Sequence, residues 1–275
     1  MGNYLTKNDY EEPRCLLCMN QDKERINLRR VISTLDAYLG KNDYAAAERH
    51  LKYWILEAEN SGDMHGKLSV LNEQIGLYRK IGKETECLEA INNAINLADA
   101  LDFAGTITYG TTLVNAATGY KAFHKTEKAL PLYKKAQEIY EANLTETDEK
   151  LGTLYNNMAL ALTELKSYRE AEDYYYKALA IMKYKENGEL EEAITYLNLA
   201  DLADIELGHE QAEAKIEEYL VKAEELLNTE SVPRDGYYAF VCEKCAPVFG
   251  YYGFFLTEQD LKNRAGEIYE RNRTV

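Results

Sequence analysis

Proline is scarce in this chain: four residues in 275, at Pro13, Pro131, Pro233 and Pro247. With so few breaks and with Glu, Lys, Leu and Ala abundant, the composition favours helices over strands. Long apolar runs are missing as well. No stretch approaches the roughly 18–20 consecutive apolar residues of a membrane helix, and the N-terminus has no apolar signal core, so the expectation is a soluble, cytoplasmic protein that does not engage a membrane. Positive charge is in deficit, 32 Lys and Arg against 47 Asp and Glu for a net −15, which argues against nucleic-acid binding because that needs a basic face. Cysteines number five, an odd count without a dense framework, as expected in a reducing compartment. The four histidines (His50, His65, His124, His209) form no H-x3-H, HExxH or Cys/His set and are expected at turns and outer faces. No G-x-S-x-G occurs, and Gly250-Tyr-Tyr-Gly253 lacks the form of a phosphate loop. The expectation is therefore a protein that is not an enzyme and uses no cofactor or metal.

What the chain does have is a repeated helical pattern, with 46% apolar residues to build a core. In Leu151–Tyr184 two amphipathic helices meet at a turn around Lys166–Ser167. Ala159, Ala171 and Ala178 are small where helices about 8–10 Å apart leave no room for more. Tyr155, Met158, Leu162, Leu165, Tyr168, Tyr175 and Ile181 supply the apolar stripe. The small position of the first helix recurs at Ile75, Ala117, Ala159 and Ala200, spacings of 42, 42 and 41 residues. Trp54 occupies a column held elsewhere by alanine, which suggests an end repeat with a wider helix gap. Gly110 and Gly119 each weaken their helix by about 1 kcal/mol relative to alanine, so close packing or a local irregularity is expected there. In the fifth repeat Ala223 falls later than the pattern allows after Ala212, so its second helix is expected to be set differently.

The pattern Tyr155, Met158, Ala159, Leu162, Ala171, Tyr175, Ala178 resembles the tetratricopeptide repeat. The period near 42 with Asn-Asn-Φ-Ala is similar to the repeats of kinesin light chains and of bacterial peptide-sensing regulators. The resemblance implies an all-α fold, a right-handed α-α superhelix of the TPR-like solenoid type whose inner wall is built from the first helix of each pair. Its expected layout is a polar lead-in at 1–21 with a short helix around Cys15–Met19, then repeats at about 22–61, 67–104, 105–146, 147–188 and 189–230, with Gly62–Gly66 as a linker. A divergent helical pair at 234–275 closes the chain, its last helix capped by Thr257 with Asp260. Bacterial relatives of this type often carry a DNA-binding domain ahead of the repeats; about twenty polar residues leave no room for one here.

One column stands above the packing background. Asn115, Asn157 and Asn198 each lie two residues before the small position, rotated about 200° from the seam between paired helices. A carboxamide offers donors and an acceptor together, so it can bond the backbone of a peptide without reading its side chains. In the families this chain resembles, that column lines the groove and holds a bound peptide; the same asparagines could instead bond across repeats and hold the superhelix in shape. On the same face the register places Thr118, Lys121, Thr153, Asn156, Leu160, Thr163, Asp201 and Asp204, a mixed wall with an acidic end suited to basic ligand residues. The carboxylate clamp that grips chaperone tails is not expected, because the positions that would need Lys or Arg are Thr111, Ile194 and Asn198.

Three readings of function follow. The first is a non-enzymatic scaffold binding a protein or peptide, the second a structural protein that self-associates through the aromatic stretch Phe249–Phe255, as monomer or homodimer accordingly. The third is a metal- or redox-active protein using Cys15/Cys18 and Cys242/Cys245; pairs more than 220 residues apart at opposite ends of a solenoid make this remote, and Cys242 and Cys245 read as packing residues. Met1–Thr6 fits the loose myristoylation pattern, but no polybasic stretch follows it, and an ordinary polar terminus is the plainer reading.

Overall fold

A computed structural model describes residues 25–273, and every regular element among them is helical. The expected lead-in helix at Cys15–Met19, the acylation pattern at Met1–Thr6 and the Cys15/Cys18 pair lie outside the described residues. The helices are α1 (Leu28–Gly40), α2 (Tyr44–Asn60), α3 (Met64–Lys80), α4 (Glu84–Ala100), α5 (Ile107–Ala122), α6 (Thr126–Asn143), α7 (Glu149–Glu164), α8 (Tyr168–Met182), α9 (Glu189–Leu207), α10 (His209–Leu227), α11 (Gly236–Tyr251) and α12 (Phe255–Arg273). They fall into two compact units that divide within α6, one ending at Ile139 and the other beginning at Tyr140.

Within each unit the helices pack as successive antiparallel pairs. Odd-numbered helices also touch one another: α1, α3 and α5 form a row in the first unit, and α7, α9 and α11 in the second. The contacts are close because the residues between helices are small. Ala47, Ala94, Ala117, Ala136, Ala159, Ala171, Ala178, Ala200 and Ala246 have no exposed surface at all. Trp54 and Tyr219 stand seven residues after Ala47 and Ala212, where the other pairs repeat an alanine. Trp54 is buried with Val31, Leu35, Leu51, Val70 and Leu77 and meets Tyr53 and His50 edge-on. Tyr219 is buried too, and its hydroxyl reaches that of Tyr176 at 2.8 Å, while Ala212, Ile216 and Ala223 keep α10 on one continuous apolar face.

The turns repeat one device. A residue at positive φ ends the helix, and the next N–H bonds the carbonyl five residues back: Asp43 to Tyr38, Asp63 to Ala58, Lys83 to Tyr78, Phe103 to Ala98, Lys125 to Tyr120, Ser167 to Leu162 and Phe254 to Phe249, all at 2.8–3.1 Å. This closes the free carbonyls at these helix ends and reverses the chain in three residues, or in six between α4 and α5. Glycine supplies the positive φ at Gly62, Gly82 and Gly253, and Asn42, Asp102, His124 and Lys166 take it elsewhere. The carboxylates of Asp43 and Asp63 then accept the N–H of Ala46 and Gly66 and start the next helix. Gly66 thus sits in the first turn of α3 rather than in a linker.

Two further expectations are corrected. Thr257 is not an N-cap: α12 begins at Phe255, and the Thr257 hydroxyl donates to Glu224 Oε1 at 2.7 Å. His50 is not on an outer face; it is buried with Nε2 at 2.9 Å from the Val31 carbonyl, and burial pushes its pKa down. Ile26 precedes α1, which Asn27 caps.

Gly119 is where helices α3, α4 and α5 come closest. A Cβ there would stand 2.8 Å from Ile91 Cδ1 and 3.3 Å from both Cys87 Sγ and Ile75 Cγ2. Gly76, helical in α3, has nothing within 4 Å of its virtual Cβ. Gly76→Ala is expected to stabilise the chain by about 0.5–1 kcal/mol through helix propensity, whereas crowding makes Gly119→Ala destabilising by about 1 kcal/mol or more. Urea melts of the two variants check the opposite signs.

Glu48 ties α2 to the α3–α4 turn. Its carboxylate accepts from Lys52 and Lys83, each at 2.7 Å, with Tyr78 at 3.4 Å, and these bonds hold its pKa down at about 2 from an ordinary 4.5. A folded-state pKa below the unfolded one stabilises the fold above the unfolded pKa, and that contribution disappears as pH falls through the folded value. Glu48→Gln should lower the melting temperature at pH 7, and its deficit against the natural chain should shrink between about pH 4.5 and pH 2.

Candidate functional site

The odd-numbered row carries a set of asparagines, each half-buried. In the first unit Asn115 Nδ2 on α5 donates to Asn72 Oδ1 on α3 at 3.0 Å, and Asn72 Nδ2 donates to Leu68 O at 3.0 Å and to Thr112 Oγ1 at 3.1 Å. In the second unit Asn198 Nδ2 on α9 donates to Asn156 Oδ1 on α7 at 3.3 Å. These are two instances of one clasp: a residue of the predicted column reaches the residue one place before that column, one repeat earlier. For Asn157 the sequence register puts Val114 in that earlier place, a side chain with no acceptor. Asn157 Nδ2 instead donates to Thr153 O of its own helix at 3.1 Å.

Each column asparagine therefore uses one amide proton. The carboxamide oxygens of Asn115, Asn157 and Asn198 accept no hydrogen bond among the described residues, and each keeps a second N–H. Both alternatives read from the sequence have a physical basis here, since the same side chains bond across repeats and retain a donor and an acceptor.

The flanking residues divide. Asn156 belongs to the clasp. Lys121 is half-buried in the last turn of α5. Thr118 turns to its paired helix, its hydroxyl 2.9 Å from that of Tyr133 and 2.8 Å from Val114 O, so it is drawn away from an open face. Asp201 and Asp204 are already engaged. Tyr252 donates to Asp201 Oδ1 at 2.9 Å and lies 3.4 Å from Asp204 Oδ2; Tyr251 lies 3.5 Å from Asp204 Oδ2, and His209 Nδ1 3.5 Å from Oδ1. The His209 and Tyr252 rings are stacked, with centroids 6.0 Å apart. Burial pushes the Asp201 carboxyl up, so its negative charge is weaker bait for a basic ligand than its type suggests.

Sequence reasoning missed Asn72 and Tyr252. Asn72 lies one place off the column, although its 43-residue separation from Asn115 is visible in the repeat. Tyr252 is 51 residues from Asp201, a spacing no repeat register contains.

Cys242 and Cys245 are buried, packed with Tyr238, Val241 and Phe249 on the inner face of α11. Burial pushes both thiols up, Cys245 to about 12, the opposite of a reactive thiolate. Among the described residues no three His, Cys, Asp or Glu side chains are grouped to hold a metal ion, and no helix is long and apolar enough to cross a membrane.

No family model matches the chain, and no curated protein matches it. Solved structures do. The kinesin-light-chain TPR-like repeats of Podosopora anserina align over 76% of this chain and 98% of theirs at 14% identity, with a TM-score of 0.53. The apo form of RapI aligns over 94% and 88% at 13% identity, TM-score 0.58. NprR in complex with its cognate peptide NprX aligns over 90% and 69% at 15% identity, TM-score 0.50. At such identities the likeness establishes the fold, that of an all-α TPR-like helical solenoid.

The clasp separates the three column asparagines by stability. Asn115→Ala and Asn198→Ala each strand an acceptor and should cost about 0.5–1.5 kcal/mol. Asn157→Ala loses only a bond to its own helix and gains helix propensity, so it should be neutral or slightly stabilising. Equilibrium denaturation of the three single variants reads the difference.

Proposed function

We propose that this chain is a non-enzymatic scaffold that binds a peptide or a segment of a partner protein on its odd-numbered helices, through the carboxamides of Asn115 in the first unit and of Asn157 and Asn198 in the second. The observation that carries the reading is the residual hydrogen-bonding capacity of that column. Three half-buried carboxamides, one in the first unit and two in the second, each keep one acceptor and one donor, the pair presented by a peptide unit. The solved complex of NprR with its cognate peptide shows that a chain of this fold can hold such a ligand. Asn156 and Asn72 orient two of the carboxamides, and Lys121 stands on the same helix as Asn115. Recognition of this kind reads backbone rather than side chains, so it suits an extended segment of loosely specified sequence, and Asp201 and Asp204 impose a basic preference only if Tyr252 gives way. The scaffold works in the cytoplasm on a protein ligand and needs no cofactor or nucleic acid.

Selection from a library of displayed random peptides tests this. Enriched peptides should bind the full chain and lose at least about tenfold in affinity against an Asn115→Ala/Asn157→Ala/Asn198→Ala variant of matched helicity, as loss of several hydrogen bonds implies. N-methylation of the central ligand amides should abolish binding that single alanine replacements in the ligand leave intact. Peptides that bind the variant equally well would overturn the assignment. A second reading, self-association, is favoured by Tyr251, Phe255 and Leu256, large apolar side chains 73%, 67% and 89% exposed around the α11–α12 turn. Sedimentation velocity separates it: a species that remains monomeric at high micromolar concentration removes this alternative.

A further inference from the structure

Away from the asparagine row, within the second unit, helices α8, α9 and α10 border an open cavity of about 580 Å³, a volume inside the range of small-molecule sites. Two even-numbered helices form its walls in the same register. Tyr176 and Lys183 on α8 face Tyr219 and Lys222 on α10, and Tyr196 with Glu192 on α9 makes the floor. One end is closed by bonds between the walls: Lys215 to Glu172 at 2.7 Å and the Tyr176–Tyr219 hydroxyl pair at 2.8 Å. Lys183 and Lys222 lie one to two turns further along their helices, at the open end.

The closing pair exists because Tyr219 stands where the other pairs carry alanine. A residue that departs from the repeat here builds an aromatic wall, with the Tyr196 and Tyr219 centroids 6.0 Å apart. The cations are as unusual as the rings. In a chain of net charge −15, three lysines converge on one cavity. The counter-charge of Lys222 is Glu218, an i,i+4 partner 59% exposed, and such a pair exchanges readily for a better-placed anion. Lys183 leans over the exposed Tyr184 ring at 5.5 Å and makes no carboxylate bridge among the described residues, with Glu192 the carboxylate near enough to feel its charge. Lys222 lies 5.4 Å from the Tyr196 centroid, so the cation sits over the aromatic floor. The remaining lining carboxylate is Glu192, which burial and Glu189 push up and Lys183 pulls down.

We propose that this cavity is a second binding site, for a small flat organic anion: an aryl phosphate or aryl carboxylate whose ring lies among Tyr176, Tyr196 and Tyr219 and whose anionic group meets Lys183 and Lys222. The site is independent of the asparagine row and stands whether or not a peptide binds there.

Isothermal titration of the full chain with 1-naphthyl phosphate tests it. Saturable sub-millimolar binding is expected, with inorganic phosphate at least about tenfold weaker because it lacks the ring. Lys183→Gln/Lys222→Gln should weaken naphthyl phosphate by at least about tenfold, as loss of two charge-assisted contacts implies. The control Lys150→Gln/Lys262→Gln, which removes the same charge elsewhere, should leave affinity within about twofold. Should the double lysine variant not fold, Ala180→Trp fills the cavity from its exposed rim without touching the core and should block binding. Absence of saturation with the natural chain, equal binding of inorganic phosphate, or full affinity in either cavity variant would overturn the proposal.

Discussion

Everything in this chain depends on how near two helices can come. At 8–10 Å between axes the contact residues must be small, and the alanines at the contacts have no solvent exposure. Close approach lets short turns of three residues, or of Gly208 alone between α9 and α10, join the pairs, and the turn in turn fixes which faces meet. Where the column admits a large side chain the consequence is local. Trp54 broadens the first pair and is absorbed by a cluster drawn from α1, α2 and α3, while Tyr219 opens a cavity between α8 and α10. The same constraint sets the asparagines in line: odd-numbered helices stacked in register bring residues 42–43 apart within hydrogen-bond distance.

The two roles of the asparagine column are compatible because a carboxamide has more hydrogen-bonding capacity than one clasp uses. A row that was only structural could be built equally from Asn–Asn or Thr–Asn pairs with every group satisfied. A row that was only for binding would have its side chains held by nothing in the empty state and would lose rotamer freedom on meeting a ligand. Asn115 and Asn198 are held by their neighbours beforehand, which lowers that entropic cost. Asn157 is held only by its own helix.

What was legible in the sequence was periodic. The alanine column and the asparagine register both follow from a repeat near 42. Features outside the period were not legible. Thr257 has a capping residue's chemistry, yet Gly253 and the Phe254–Phe249 bond set the turn, and α12 begins two residues ahead of it. His50 looks like a surface residue by type but fills the seam between α1 and α2, its ring nitrogen satisfied by a carbonyl that only the packed structure supplies. Thr118 points to Tyr133 on its paired helix, and Asp201 to Tyr252 of the next pair, through contacts that no column encodes. The C-terminal pair is the clearest case. Tyr238 receives Arg264, donates to Leu227 O and lies under Arg234, so one ring joins α10, α11 and α12.

The Glu48 clamp also bears on colloidal behaviour. The chain's isoelectric point is near 4.9, so mild acid removes the repulsion that a net charge of −15 provides. At that pH Glu48, held near 2, is still ionised and still binds Lys52 and Lys83. On acidification the molecules lose their mutual repulsion while this contact is intact.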